Sequence, residues 1–523
     1  MSEADPSRRL LVAIASYGEK NLPFLERCIR AYRALDWETR IVVLSNIPKD
    51  LGPGIEVVVG LPSANPWSLP FGHKSVFAEH ADEFDLFIYA EDDIEFRNHN
   101  LEAFLRLTEE LPPDEIAGFQ LYEQDADGGK FLPGVHGVFR WRPGSVRWRG
   151  RYLVAEFTNE HSACYAITRD QLKRAIASGG YLQGPREGRY DMLCTASTEP
   201  YTNCGMTKVL AVSHLDDFLL HHLPDRYVGK MGLSLEKFAR QTGTLRRIAD
   251  GHHPATELCE VESRAPRLRW SKSLYEATNP RLLGLVPEGT RELLSIGCGW
   301  GDAEAEIMES GVRVTALPLD SVIGQIAAER GCEVVFASLE DGMEQLKDRR
   351  FDCIWISNLL HLFDEPEDVL RSLAGMLRSG GKLLLMGPNF ECLSTSLRHL
   401  ARPASPGQPG PSHEGNVRPF GIQTLKRWLE TSGLELTDVY WEGSAHSGPL
   451  SGSVASRSSI RRAADRAWRT LKDLGISPPP DAATPQPIPG GLRRCVGRFV
   501  ADSWVVQARP AGAELAGVVA PAT

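Results

Sequence analysis

The sequence predicts two α/β domains in tandem, each a parallel or mixed sheet covered by helices. Three observations lead there. Short apolar runs alternate with helically periodic segments from Leu10 to about residue 235, and a second alternation begins near Arg291. Between them lies a polar, irregular stretch holding Gly251-His252-His253-Pro254 and Arg264-Ala265-Pro266, which reads as a linker. At 523 residues the chain also exceeds what one hydrophobic core normally serves. The expected boundaries are residues 8–235, a linker at 236–267, a second domain at 268–510 and a disordered tail at 511–523.

In the first domain, Leu10 to Ser16 is a buried-type strand ending in the turn Ser16-Tyr17-Gly18. Leu22, Leu25, Ile29 and Tyr32 follow at helical spacing behind Asn21, a potential cap. Strands are expected at 41–45, 56–59, 84–90, 116–121 and 164–168, with helices at 101–111 and 169–177. The stretch 128–151, rich in Gly, Arg and Trp, reads as loop, and Leu219 to Tyr227 closes the module.

The second domain reads as doubly wound. Strands are expected at 293–296, 312–317, 334–337, 353–357 and 382–386. Helices are expected at 302–310, 321–330 and 366–378. Pro-rich runs at 403–411 and 478–489 are surface loops, because repeated Pro cannot continue a helix or a central ladder.

Composition narrows the function. Hydrophobic residues are 42% and charged residues 24%, as in soluble globular proteins. A net charge of −10 argues against nucleic acid as main partner, since phosphate neutralisation needs a basic face. Ten scattered cysteines without a C-x-x-C pair suit reduced thiols, and no run approaches a membrane span. The expected location is the cytoplasm; oligomeric state is not legible.

In the first domain the central feature is Tyr89-Ala90-Glu91-Asp92-Asp93-Ile94-Glu95, carboxylates directly after a buried strand. Clustered carboxylates repel unless a cation is present, and a divalent ion bridging diphosphate oxygens would supply it. Glu91 and Asp93 are the expected ligands, with His222 completing the set. Ser16, Tyr17 and Asp92 are expected on the nucleotide. Glu187 and Asp191 are candidate bases, and Asn159 to Tyr165 could line the acceptor side. Arg140, Arg142, Arg147, Arg149 and Arg151, interleaved with Trp141 and Trp148, read either as a phosphate grip or as a salt-bridged hairpin. This pattern looks like the GT-A glycosyltransferase fold over residues 8–235. The resemblance implies a nucleotide-diphosphate sugar donor, a glycan or small-molecule acceptor, and Mn²⁺ or Mg²⁺.

In the second domain Leu293-Leu294-Ser295-Ile296-Gly297-Cys298-Gly299-Trp300-Gly301 breaks from an apolar strand into three alternating glycines and a helix, which lets backbone N–H groups approach a ligand. Asp320 then ends the second strand, where an acid can accept ribose hydroxyls. Ser338-Leu339 follows the third, where an adenine ring would lie, and Asn358 and His361 follow the fourth. Together with Arg418-Pro419-Phe420-Gly421 and the helix at 425–433, this resembles the class I, S-adenosylmethionine (SAM)-dependent methyltransferases, a Rossmann-like fold. The resemblance implies SAM at Ser295, Gly297, Cys298, Gly299, Gly301, Asp320, Ser338, Leu339 and Asn358. His361 is a candidate general base, with a turn-capping role as its alternative. Two departures stand out: Ser295 and Ser338 lie where that family usually carries acids.

The joint reading is a bifunctional enzyme that adds a sugar and O-methylates the product. One alternative makes the first domain a non-catalytic carbohydrate or nucleotide module; another makes the second a degenerate scaffold.

Overall fold

The computed structural model describes residues 8–134, 140–229, 232–265, 269–392, 415–442, 501 and 503–511. The Pro-rich runs and the tail beyond Ala511 lie outside the described residues.

In the first half, strands Arg9–Ser16, Glu38–Ser45, Ile55–Val59 and Leu86–Glu91 pair in parallel, in the order third, second, first, fourth. Cys164–Thr168 closes one edge antiparallel to Leu86–Glu91. Leu10 to Ile14 are fully buried, which is why the first strand is an unbroken apolar run. The order reverses between the first and fourth strands, and their register sets Ala15 beside Glu91. Such a reversal opens a crevice at the carboxyl ends of the strands. The acidic run is delivered into it.

The expected strand at 116–121 splits. Glu115–Ala117 pairs with Thr207–Ala211, whereas Gln120–Gln124 joins Leu219–His222 in another sheet. Gly118 permits the break, since a Cβ there would lie 2.3 Å from the Lys208 side chain. The stretch expected as loop carries strands Lys130–Leu132 and Arg147–Arg149, the latter paired with Tyr152–Ala155. Arg147 and Arg149 both bind Glu115, at 2.9 and 2.6 Å, so this part is a salt-bridged hairpin.

The expected linker is ordered. Ser234 caps a helix at Leu235–Ala249, accepting from the Lys237 amide, and Phe238 and Leu245 are buried on it. Phe238 and Leu245 pack with Trp141 and Phe157 of the first half and Val322 of the second, so the two halves share a core cluster. Beyond this helix the chain runs along the second domain, where Glu257 bridges Asp320.

The second half is one seven-stranded sheet. Its order is Glu333–Val334, Arg313–Pro318, Glu292–Cys298, Phe351–Ser357, Leu377–Pro388, Ser503–Pro510 and Leu434–Glu442. Ser503–Pro510 is antiparallel to both neighbours, and the other neighbouring pairs are parallel. Here too the order reverses beside the first strand, between Glu292–Cys298 and Phe351–Ser357. The glycine turn opens at that reversal.

Candidate functional site

The crevice of the first half has a volume of about 570 Å³ and is lined by Tyr17, Glu91, Asp92, Asp93, Asp191 and His222 among others. Ser16 lies beneath it, donating to Asp92 Oδ2 at 2.6 Å. Lys49 Nζ in turn reaches the Ser16 carbonyl at 3.0 Å. Asn21, expected as a helix cap, makes no side-chain cap bond. Its amide instead donates to Asp92 Oδ1 at 2.8 Å and Asp93 Oδ2 at 3.1 Å. Asp191 caps the helix Met192–Thr202 through the Cys194 amide and lines the crevice, whereas Glu187 is exposed outside it.

The expected metal set does not converge. Asp93 Oδ2 accepts from Arg226 at 3.0 Å and lies 3.6 Å from His222 Nε2. His222 Nδ1 is 2.5 Å from Glu123 Oε1. Burial opposes the His222 imidazolium, but its bonds to Asp93 and Glu123 outweigh this and raise it to about 9. Burial, then Asp93 and Asp92, push the Glu91 carboxyl well above the usual range, so it favours its neutral form. Among the described residues no three His, Cys, Asp or Glu side chains are placed to hold a metal ion. Glu91, Asp93 and His222 therefore do not fit Mn²⁺ or Mg²⁺ in this fold, because a guanidinium and an imidazolium already neutralise Asp93. Arg226 is the site residue that the sequence reading missed. It sits in Leu223-Pro224-Asp225-Arg226-Tyr227, which carries no motif beyond its place at the end of the module.

Of the arginine cluster, Arg140 lies outside any helix or strand but not on the surface. It is fully buried and faces Glu257, Glu260 and Glu262 at 3.1, 3.4 and 3.5 Å. Trp148 is exposed, with the Arg246 guanidinium 5.2 Å from its ring.

At the glycine turn of the second half, Gly297 has φ +79° and a Cβ there would meet Leu359 at 2.5 Å. A Cβ on Gly299 would lie 2.2 Å from the Leu274 carbonyl. Both positions demand glycine. Ser295 donates to Glu304 Oε1 and accepts from the Trp355 indole, each at 2.6 Å. A carboxylate from the following helix thus stands beside the position where the strand lacks its acid. Cys298 is buried beside Ser295 on the same strand. Asn358, at φ +48°, donates to Glu276, which also receives Lys272 and the Ser357 hydroxyl. Burial favours a neutral Glu276, yet Lys272 and these donors hold its carboxyl below the usual value.

Three of the expected site residues also have partners within the fold. Asp320 is a buried helix cap: its Oδ1 accepts from the Val322 and Ile323 amides at 2.9 and 2.8 Å, while its Oδ2 is buried without a hydrogen-bond partner. Ser338 caps Leu339–Leu346 through the Asp341 amide. The His361 ring is 2% exposed, and its Nε2 donates to the Trp270 carbonyl at 2.7 Å. Burial lowers its pKa to about 4, which leaves the imidazole a weak base for a hydroxyl.

The room left at the glycine turn is about 40 Å³, lined by Gly297, Gly299, Lys272, Glu276 and Trp355 among others. Further along the same rim Leu258 is buried in one cluster with Ile296, Leu317 and Leu319.

Asp320 yields a stability test. Burial raises its carboxyl to about 6 against the opposing pull of Arg140. Its folded value lies above the unfolded one, so stability falls as pH rises from about 4 to 6 and the cost persists above that. Asp320→Asn keeps the cap acceptor and removes the charge. It is expected to add roughly 2–3 kcal/mol at pH 7.5 and almost nothing at pH 4, read by calorimetric melting at both pH values.

The strand order and glycine turn give the second half a Rossmann-like fold, and the comparisons with known proteins support a SAM-dependent methyltransferase domain there. Residues 268–439 match the family described as "Methyltransferase domain". The chain is 29% identical over 167 residues to a ubiquinone biosynthesis O-methyltransferase of Xanthomonas axonopodis pv. citri, covering 30% of this chain and 66% of that protein. It is 34% identical over 128 residues to the 27-O-demethylrifamycin SV methyltransferase of Amycolatopsis mediterranei, covering 22% and 46%. The chain therefore spans less than two thirds of either relative. A SAM-dependent methyltransferase from Archaeoglobus fulgidus aligns at 18% identity and TM-score 0.27, covering 42% of this chain and 86% of that one. No helix among the described residues is long and apolar enough to cross a membrane.

Proposed function

We propose that the chain is a two-site transferase: the domain at 268–510 O-methylates an acceptor with SAM, and the domain at 8–235 transfers a sugar from a nucleotide-diphosphate donor. The match of residues 268–439, together with the glycine turn, carries the first part. An oxygen acceptor is favoured because both relatives named above are O-methyltransferases or act at a numbered oxygen. Methyl transfer is a direct displacement in which the protein chiefly positions two partners.

The second part is carried by the crevice at the strand reversal, where Asp92, Asp93, Asp191 and Arg226 converge. A parallel sheet in the order third, second, first, fourth with an antiparallel edge suits a GT-A fold. Arg226 and the His222 imidazolium supply positive charge for a departing diphosphate, and Asp191 is the base facing the acceptor hydroxyl. Tyr17 and Trp67, each about half exposed on the crevice wall, offer stacking faces for base or sugar. Nine free cysteines among the described residues favour the cytoplasm.

The test is release of UDP, GDP or dTDP from the corresponding nucleotide sugars by the full chain. Asp191→Asn is expected to slow release by about 10²–10⁴-fold with nucleotide affinity retained. Equal rates would remove Asp191 from the chemistry, and no release from any donor would reduce the first domain to a binding module.

A further inference from the structure

The segment assigned to a linker lies where the cofactor's nucleoside would go. Leu258 donates its amide to the Leu319 carbonyl and accepts from the Leu339 amide, both at 2.9 Å. Leu319 directly follows the strand Arg313–Pro318, and Leu339 opens the helix Leu339–Leu346 that follows the neighbouring strand Glu333–Val334, so both lie at the rim where an open α/β sheet receives a nucleotide. The Leu258 carbonyl thus takes the backbone donor expected to face an adenine ring. Its side chain is 3% exposed and packs in one cluster with Ile296, Leu317, Leu319 and Trp300. Thr256 and Glu257 extend the contact, the first accepting from the Ser321 amide at 2.9 Å and the second bridging Asp320.

The seat is imperfect. Beneath this segment Asp320 Oδ2 and Trp300 Nε1 are buried without a hydrogen-bond partner, as expected of polar groups whose proper partner is something else. The segment is held from the other domain. Arg140 faces three of its glutamates, and Arg189 binds Glu262 at 2.6 Å while also gripping Glu160 beside the first crevice.

We propose that residues 256–262 are a strap that occupies the adenosine end of the C-terminal cleft, that SAM binds by displacing it, and that the arginines of the first domain hold it closed. This rests on the methyl-transfer reading. A ligand that must displace a resident segment has its affinity reduced by the fraction of open molecules, so loosening the strap tightens binding.

The experiment is calorimetric titration of SAM into the full chain, into the triple variant Glu257→Gln/Glu260→Gln/Glu262→Gln, and into Leu258→Ala, with amide hydrogen exchange followed at Leu258. The strap predicts at least tenfold tighter binding in a folded variant, and loss of Leu258 protection when SAM is added to the wild type. The second variant serves if the triple one fails to fold. Equal affinity in all three proteins, with Leu258 protection unmoved by SAM, overturns the strap and leaves methyl transfer standing. No binding in any folded protein overturns the methyl-transfer reading and the strap with it.

Discussion

Glu199→Ala is expected to destabilise the N-terminal domain by about 3–5 kcal/mol, the usual cost of stripping one partner from a buried ion pair. Glu199 is fully buried on the helix Met192–Thr202 and meets Lys74, itself 3% exposed, and Arg186. Lys74 lies on the helix Gly72–Glu79, with its ammonium 4.1 Å from the Phe71 ring. The pair joins two walls of the crevice, since Leu193 and Cys194 line it from one side and Trp67, Leu69 and Pro70 from the other. Removing Glu199 strips Lys74 and Arg186 of their shared carboxylate, and burial, which already lowers Lys74 to about 7, then forces it towards the neutral form at a cost in stability. Chemical denaturation should show the loss. The double variant Lys74→Met/Glu199→Leu should recover most of it, because apolar groups of similar volume avoid the desolvation cost. A single variant within 1 kcal/mol of wild type would mean the pair is not buried in solution.

Gly299→Ala is expected to remove SAM binding and to destabilise the C-terminal domain by about 1–3 kcal/mol or more, the range for overpacked sites. The added methyl would sit 2.2 Å from the Leu274 backbone carbonyl, which cannot turn away as a side chain can. Relief requires moving residues 272–276, and with them the bond from the Trp300 amide to Leu274 and the Lys272–Glu276 pair at the same mouth. A thermal melt with and without SAM reads both effects. Gly375→Ala serves as control for glycine content, since nothing lies within 4 Å of its Cβ position and its φ is not positive.

Much of the fold was legible because buried parallel strands must be continuously apolar. Leu10 to Ser16 and Leu293 to Ile296 announce themselves that way, and the glycines after the second announce the turn. The split at Gly118 was not legible, because 116–121 is apolar but for Gln120 and only the Lys208 contact explains the break. Ser503–Pro510 was missed for a different reason: it joins the sheet late in the chain, between strands that sequence order does not place beside it.

The sites were legible in part. The acids at the end of the fourth strand and just after it, Glu91, Asp92 and Asp93, line the first crevice together with the helix cap Asp191. What those acids bind was not legible, because their partners come from distant segments: the Asn21 amide donates to Asp92 and Asp93, and the Arg226 guanidinium pairs with Asp93. Asp320 and Ser338 were read as ligand groups because short polar residues after a strand serve equally as helix caps, and here capping prevails. Leu258 carried no signal at all. A few apolar residues among glutamates look like linker until the Leu258 backbone is seen bonded to Leu319 and Leu339.

Two independent ligand sites on one chain should separate in calorimetric titration of the full chain and of Asp92→Ala with UDP, GDP and dTDP, and with SAM at up to millimolar concentration. The wild type is expected to bind one of the nucleotides and SAM, and Asp92→Ala to lose the nucleotide while keeping SAM. Failure of all three nucleotides to bind, or a nucleotide affinity untouched by Asp92→Ala, would contradict two independent sites.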